Sequence, residues 1–414
     1  MPDSTIHSEQ RQRFSSDFWK FLTGQSISTL GSSFTGFALP LLIFKLTGSA
    51  LNLAFTVVAT VLPYLLLGLI IGAWADRVQR KRLMVGTDLV RALVIASIPL
   101  AFALGFLSVW WIYAVAFVAS TLSICFDAAN FAAIPSLVQR SELITANGRI
   151  QASYSIAKIL GPALAGLLII KVPLPMLLLV DASSFLVSAG SLVLIRASFN
   201  AVASEKRAVT SVRSDIMEGL RYVLKQPVLR SITLLLLFIN FILPTTTSQL
   251  VLFARQWLNA SDTQIGLLYA SGSVGIVLFS LGASQLRKRL SFGVLVLGSL
   301  ALEGIMIAAT AFTHWYWLAL LCWLLRGGAD ALFIIGAYSL TQNIVPNQLL
   351  GRVITTTRVL TWSTASVGAL MGGFAIEQTK DVGLIYITIG LLIFLIALSF
   401  GLTPLGHAER YIST

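Results

Sequence analysis

Charge is what this sequence has least of. Asp, Glu, Lys and Arg together make up 11% of its 414 residues, where soluble domains carry about 25%. So few ions cannot cover the surface of a water-soluble chain of this length. Cysteine is nearly absent too. Cys125 and Cys322 both fall in apolar runs, so no disulfide framework is implied. There is no G-x-x-x-x-G-K-[ST] loop, no H-E-x-x-H and no nucleophile–base constellation. The expectation is a protein without ATP hydrolysis, resident metal or cofactor, and not an enzyme. The first seventeen residues lack the basic-then-apolar pattern of a cleaved leader, so the first apolar run reads as its own insertion signal.

What abounds is apolar sequence, 56% of the chain. A bilayer-spanning helix needs roughly 20 mostly apolar residues. Such runs recur at 18–44, 51–75, 83–106, 110–138, 144–170, 174–195, 228–254, 263–286, 292–312, 315–343, 353–376 and 383–403. They are continuous and do not alternate with period two, which predicts helices rather than barrel strands. The fold class is therefore an all-α membrane protein of twelve transmembrane helices. A net charge of +12 would suit nucleic acid if it were clustered, but here it is sorted by side. The N-terminus, "DRVQRKR", the 196–230 segment and "RKR" at 287–289 fall on one side, while the other holds only Lys45, Lys171, Arg255 and Lys380. The positive-inside rule then places both termini and the middle loop in the cytoplasm. The basic excess is topological, with a secondary role in holding anionic membrane lipids, and no nucleic-acid partner is expected. A membrane sensor or docking platform would need a large soluble domain, and the longest polar stretch is only the 196–230 segment.

That segment divides the chain into a six-helix half at 1–195, a cytoplasmic linker at 196–227 and a second six-helix half at 228–414. Within it, "SDIMEGLRYVLKQ" predicts a short amphipathic surface helix with Ile216, Leu220 and either Val223 or Leu224 on one face. The halves look related. "SLVQRSELITANGR" (136–149) and "SLTQNIVPNQLLGR" (339–352) share S-L-x-Q and a terminal G-R at an offset of 203 positions. The same offset carries Asp127-Ala to Asp330-Ala. Two parallel repeats would set these aspartates at matching depths on the fourth and tenth spans, facing one another across a central axis.

"GAWADRVQRKR" (72–82) resembles the loop between the second and third helices of the major facilitator superfamily, roughly G-x-L-A-D-R-x-G-R-K-R. Gly72, Asp76, Arg77, Arg80, Lys81 and Arg82 match, while Trp74 and Gln79 depart from the pattern. "GQSISTLGS", "DLVRAL", "AAIPSLVQ", "VDASSFLVS" and "EGLRYVLKQPVLR" look like the drug-exporter branch that includes macrolide-efflux and enterobactin-export proteins. A lysophospholipid-transporter branch shares these features. The resemblance implies alternating access about a central cavity, in a multi-pass protein of the bacterial cell (inner) membrane that acts as a monomer. It also implies a cytoplasmic gate at Gly72, Asp76, Arg77 and Arg80, supported by Asp88 and Arg91 and by the repeated Arg149 and Arg352. "AKILGPALAG" (157–166) resembles the helix-5 antiporter motif through Gly161, Pro162 and Gly166, with Ala157 and Ala165 in place of glycines. The family associates that motif with exchangers that seal the outer side.

An ionisable residue inside a membrane helix costs about 2.5–3.5 kcal/mol on insertion scales, so each needs a partner, water or a role. Asp127 and Lys158 fall at similar depths and can form a structural pair or a proton or substrate site. Arg326 and Asp330 stand at i and i+4 on one helical face. They form either a self-neutralised pair in a groove made close by Gly327 and Gly328, or a proton-responsive pair at the cavity. Glu303 is in mid-span with no partner in the sequence. It is either protonated against lipid or a second proton site. Asp181 is read as a local cap or a local pair. Gln25, Asn130 and Asn240 are candidate cavity residues. Together these features predict a secondary active exporter of small amphipathic organic molecules, working with protons as antiported partner. The alternative is a lysophospholipid or siderophore flippase of the same fold.

Overall fold

The structure is a computed structural model describing residues 14–75, 77–139, 142–199 and 212–411. It is almost wholly helical because a chain this apolar can satisfy its backbone groups away from water only within helices. The first six long helices are α1 (Ser16–Thr47), α2 (Ala50–Ala75), α3 (Arg80–Ala103), α4 (Val109–Ala133), α5 (Leu143–Leu168) and α6 (Leu178–Val193). A shorter α7 (Val212–Lys225) precedes α8 (Pro227–Ser248), α9 (Leu250–Gln256), α10 (Asp262–Arg289), α11 (Phe292–Phe312), α12 (Tyr316–Ile344), α13 (Asn347–Thr379) and α14 (Val382–Gly401). Side chains start several of them: Ser15, Ser108, Ser291 and Asp381 each accept from the backbone N–H three residues on, and Ser261 forms a capping box with Gln264.

Among the described residues, eleven helices are long and apolar enough to cross a membrane. The remaining one of the twelve expected spans is α5, which carries Asn147, Arg149, Gln151 and Lys158 along its length. It tolerates this polarity because it packs between α1 and α10 rather than standing alone in lipid. The expected single span at 228–254 is broken into α8 and α9 at Gln249. Pro244 has no N–H to give the α8 ladder, and the Gln249 side chain donates to the Ala50 carbonyl at 2.8 Å, drawing the break toward α2.

The helices pack as two groups. In the first, α6 lies on α1 and α3, α4 on α2 and α3, and α5 on α1. In the second, α10 and α11 lie on α12, α14 on α11, and α8 on α13. The groups meet where α13 packs on α2 and α10 on α5. The amphipathic helix predicted at 214–226 is α7, docked on α13. Of the two residues offered for its inner face, Val223 is buried and Leu224 is exposed. Gly219 leaves no room for a side chain, since a Cβ there would lie 2.8 Å from the Arg352 carbonyl oxygen.

Candidate functional site: a cavity flanked by buried charges

A cavity of about 530 Å³ lies between α8, α12 and α13, closed on one side by Val57 and Val61 of α2. Its walls are mainly apolar because α8 and α12 turn their Leu, Ile and Phe residues toward it. Its polar side chains include Asn240, Arg326, Asp330, Tyr338, Arg358 and Trp362. Asn240 spends its amide on the Leu236 carbonyl at 2.9 Å, which leaves its oxygen as the group to meet a solute.

Beside the cavity, Glu303 of α11 meets Arg326 of α12, with Oε1 3.1 Å from Nη2. Glu303 is fully buried and Arg326 nearly so. Asp330, one turn along α12, is close enough for its charge to act on both. The expected Arg326–Asp330 pair is thus a cluster of three, and Glu303 does have a partner, supplied by the neighbouring helix. Small residues allow this close approach of α12 to α10: a Cβ on Gly275 would fall 1.8 Å from the Leu324 oxygen, and one on Gly327 2.2 Å from the Gly272 oxygen. Arg326 also lies over the Trp323 ring at 4.7 Å. Arg358 was not among the residues singled out from sequence. It sits in a polar stretch, "RVITTTRVL", that reads like a helix end, and only the helix length shows that it lies about three turns inside α13.

The first group carries a different arrangement. Asp127 of α4 is exposed, although it lies deep among neighbouring atoms. The cation whose charge reaches it is Arg91 of α3. Lys158 is exposed, and among the described residues it makes no ion pair with Asp127, the structural pair that depth alone had offered. Arg91 in turn sits 3.6 Å from Asp88, whose side chain is fully buried, and lies over the Phe185 ring at 3.9 Å. Asp181 at the start of α6 accepts from Thr35 at 2.5 Å and Ser32 at 3.2 Å, both on α1. Of the two readings, pairing describes it: these bonds tie α6 to α1. Gln25 is buried, and its amide donates to Ser188 at 3.0 Å between α1 and α6. The sequence placed it in the cavity, but the structure makes it a packing contact. Asn130 is half-buried on α4.

At the end carrying the termini, Asp76 of the sequence motif lies outside the described residues. Gly72 lies in the last turn of α2 beside open space, and Arg77 is exposed in the turn that follows the helix. Arg80 donates to the Phe199 carbonyl at 3.0 Å, and Lys81 to those of Val193 and Ile195 at 3.1 and 2.5 Å. Lys81 therefore caps the C-terminal end of α6, where unpaired carbonyls favour positive charge, and Arg80 holds the segment that follows. The repeat-related Arg149 and Arg352 have unlike partners. Arg149 stacks over Phe14 and Trp19 at 4.4 and 5.1 Å, and Arg352 pairs with Glu218 of α7.

At the opposite end the groups are bonded directly. Lys45 of α1 reaches Asp262 of α10 at 2.5 Å, and Arg255 joins the same carboxylate. Glu377 of α13 accepts from Ser49 and from the Leu51 N–H at 3.2 and 3.3 Å. Thr263 donates to the Gly166 carbonyl at 2.7 Å. Here the helix-5 residues act as a packing seam. A Cβ on Gly166 would lie 3.2 Å from the Gly266 Cα, and one on Gly161 2.2 Å from the Ser33 Cβ. Pro162 sits between them, its carbonyl facing Gly266.

Comparison with known proteins agrees with this architecture. Residues 13–413 match the model of a family described as transmembrane secretion effectors. The chain is 28% identical to the multidrug efflux pump Tap of Mycolicibacterium fortuitum, across 83% of this chain and 85% of that protein. It is 23% identical to macrolide efflux protein A of Streptococcus pyogenes, across 87% and 89%. It is 24% identical to the enterobactin exporter EntS of Salmonella typhi, across 94% and 92%. Among solved structures, the nucleoside transporter NupG superposes with a TM-score of 0.76 at 12% identity, covering 96% of this chain and 100% of that one. A bacterial homologue of the iron transporter ferroportin, in an inward-facing state, superposes at 0.71 with 19% identity, covering 93% and 98%.

Proposed function

The chain belongs to the transmembrane secretion effector family of major facilitator transporters, and from that premise we propose that it exports small amphipathic organic molecules by alternating access, with protons moving in exchange. The observation that carries this reading is the cavity of about 530 Å³ with apolar walls and a few polar groups, the form that suits a bulky amphipathic solute. The efflux names of its relatives support the direction of transport. The bodies that rock are the halves 1–195 and 228–414, joined by the linker 196–227. The bonds of Lys45, Glu377 and Thr263 to the opposite group close one face of the bundle. With both termini in the cytoplasm of a bacterial inner-membrane protein, that closed face is the outer one, and the cavity is loaded from inside. Lipids surround a monomer on this reading.

Asp127 is the residue we assign to proton exchange. It is accessible, deep and close to a single cation, so proton occupancy can change with the water and charge around it as the halves move. It sits in the group opposite the cavity, so proton and solute are coupled through the conformational change and not by competition for one carboxylate. The test is accumulation of a panel of amphipathic dyes and antibiotics by inverted vesicles, with and without an imposed pH gradient. Gradient-dependent accumulation that exceeds vesicles lacking the protein is the expected result. No gradient-dependent accumulation of any panel member would reject the exporter.

A further inference from the structure

The charges lining the cavity are not all spent. Arg326 is engaged by Glu303 behind it and by Asp330 one turn along. Arg358 is different. Among the described residues no carboxylate lies within ion-pair distance of it, and its side chain makes no hydrogen bond. It lies over the Trp362 ring, with the guanidinium carbon 5.3 Å from the centroid. It stands about three turns inside α13, exposed at the cavity wall, so its guanidinium is open to a solute. Subtracting the repeat offset of 203 from 358 gives Ser155, so the cation is no shared part of the repeated scaffold.

We propose that Arg358 is the specificity determinant of the cavity and receives an anionic group (carboxylate, sulfonate or phosphate) on a soluble amphipathic solute whose apolar body rests against Trp362, Tyr338 and the aliphatic wall. This rests on the exporter reading above. The guanidinium presents a planar fork of donors that fits such anions with two parallel hydrogen bonds. Trp362 and Tyr338 are both about 40% exposed and line the same cavity, Trp362 at 40% and Tyr338 at 43%. Trp362 also meets Tyr64 of α2 edge-on at 6.1 Å, which fixes the ring beneath Arg358 against the opposite group. A cationic solute entering here would face two guanidinium groups against one lining carboxylate, Asp330, on which the Arg326 charge already acts. The cavity therefore sorts solutes by the sign of their charge, while its walls remain permissive toward shape.

The experiment uses three probes with one ring system: 1-naphthylacetate, its neutral amide and 1-naphthylmethylammonium. Binding to the full-length protein in phosphatidylcholine nanodiscs is measured by equilibrium dialysis. The acetate should bind at least tenfold more tightly than either of the others, a difference of about 1.4 kcal/mol. Arg358→Gln should bring the acetate down to the affinity of the amide, and Arg358→Lys, which keeps the charge, should retain part of the preference. The proposal is overturned if the wild type does not bind the acetate, if the ammonium binds as tightly, or if Arg358→Gln keeps the preference. It is also overturned if phosphatidylglycerol in the nanodisc abolishes acetate binding, because the site would then belong to a lipid headgroup. Inverted vesicles separate this from the exporter reading. Accumulation of the amide or the ammonium without the acetate leaves the exporter and removes anion selection, whereas accumulation of none of the three counts against transport itself.

Discussion

Asp127 and Asp330 occupy the same place in the repeated sequence and live in different surroundings. Asp330 shares its helix with Arg326, which is fastened to the buried Glu303 of the next helix. Asp127 has no charged residue on its own helix. The cation whose charge reaches it, Arg91, comes from α3 and is held by Asp88 and Phe185. One aspartate therefore stands half-buried at the cavity wall beside the dry Glu303–Arg326 pair, while the other is exposed and wet. A duplicated position preserves the residue without preserving its task. The cluster is suited to fixing α11, α12 and the cavity wall, and the accessible carboxylate is suited to gaining and losing a proton.

The largest effect should come from breaking the dry side of this comparison. Arg326→Met leaves Glu303 and Asp330 uncompensated in the protein interior, a loss of about 3–5 kcal/mol. Thermal unfolding in detergent should show a much lowered midpoint for Arg326→Met. The double variant Glu303→Met/Arg326→Met should recover most of the loss. A single variant as stable as the wild type would mean that the cluster holds nothing together.

Next is the wet side. Asp127→Asn should reduce gradient-driven export at least tenfold, about 1.4 kcal/mol of driving coupling, while leaving the unfolding midpoint near wild type. Adding Lys158→Met should not restore driven transport, because Arg91 is the cation near Asp127. Recovery in that double variant would make Asp127 a structural partner of Lys158. A large loss of stability in Asp127→Asn would erase the contrast between the two aspartates.

A smaller effect is expected at the closed face. Asp262→Asn removes the carboxylate that joins Lys45 to Arg255, and partly exposed ion pairs contribute about 0–1 kcal/mol. The halves should part more readily there. That can be read as faster labelling of a cysteine placed at Ser49, in a background lacking Cys125 and Cys322. Unchanged labelling would assign the closure to the Gly166–Gly266 seam alone.

Much of the fold was legible. Span number, the linker helix and the close packing at Gly327 follow from composition, periodicity and small residues, all of which are local signals. Glu303 has no partner legible in the sequence because Arg326 lies on another helix, and the α11–α12 contact cannot be seen in sequence spacing. Gln25 was placed in the cavity on polarity alone. A buried amide is equally content with one hydroxyl across a helix seam, and Ser188 supplies it. Lys158 was matched to Asp127 by depth, but depth does not fix the rotation of two helices. Arg358 was overlooked because a threonine-rich helix start resembles a loop edge. The break at Gln249 depended on a contact with Ala50, nearly two hundred positions away.

The polar character of α5 has a consequence for how the protein is made. A helix bearing Asn147, Arg149, Gln151 and Lys158 enters the bilayer against its own composition, and one of its two packing partners, α10, is synthesised much later. Until then the Gly166 face has nothing to lie on. Translation thus passes through an interval in which the first half is threaded but incomplete. A nascent chain released before α10 emerges would offer that bare face to the membrane proteases that police unfinished assemblies.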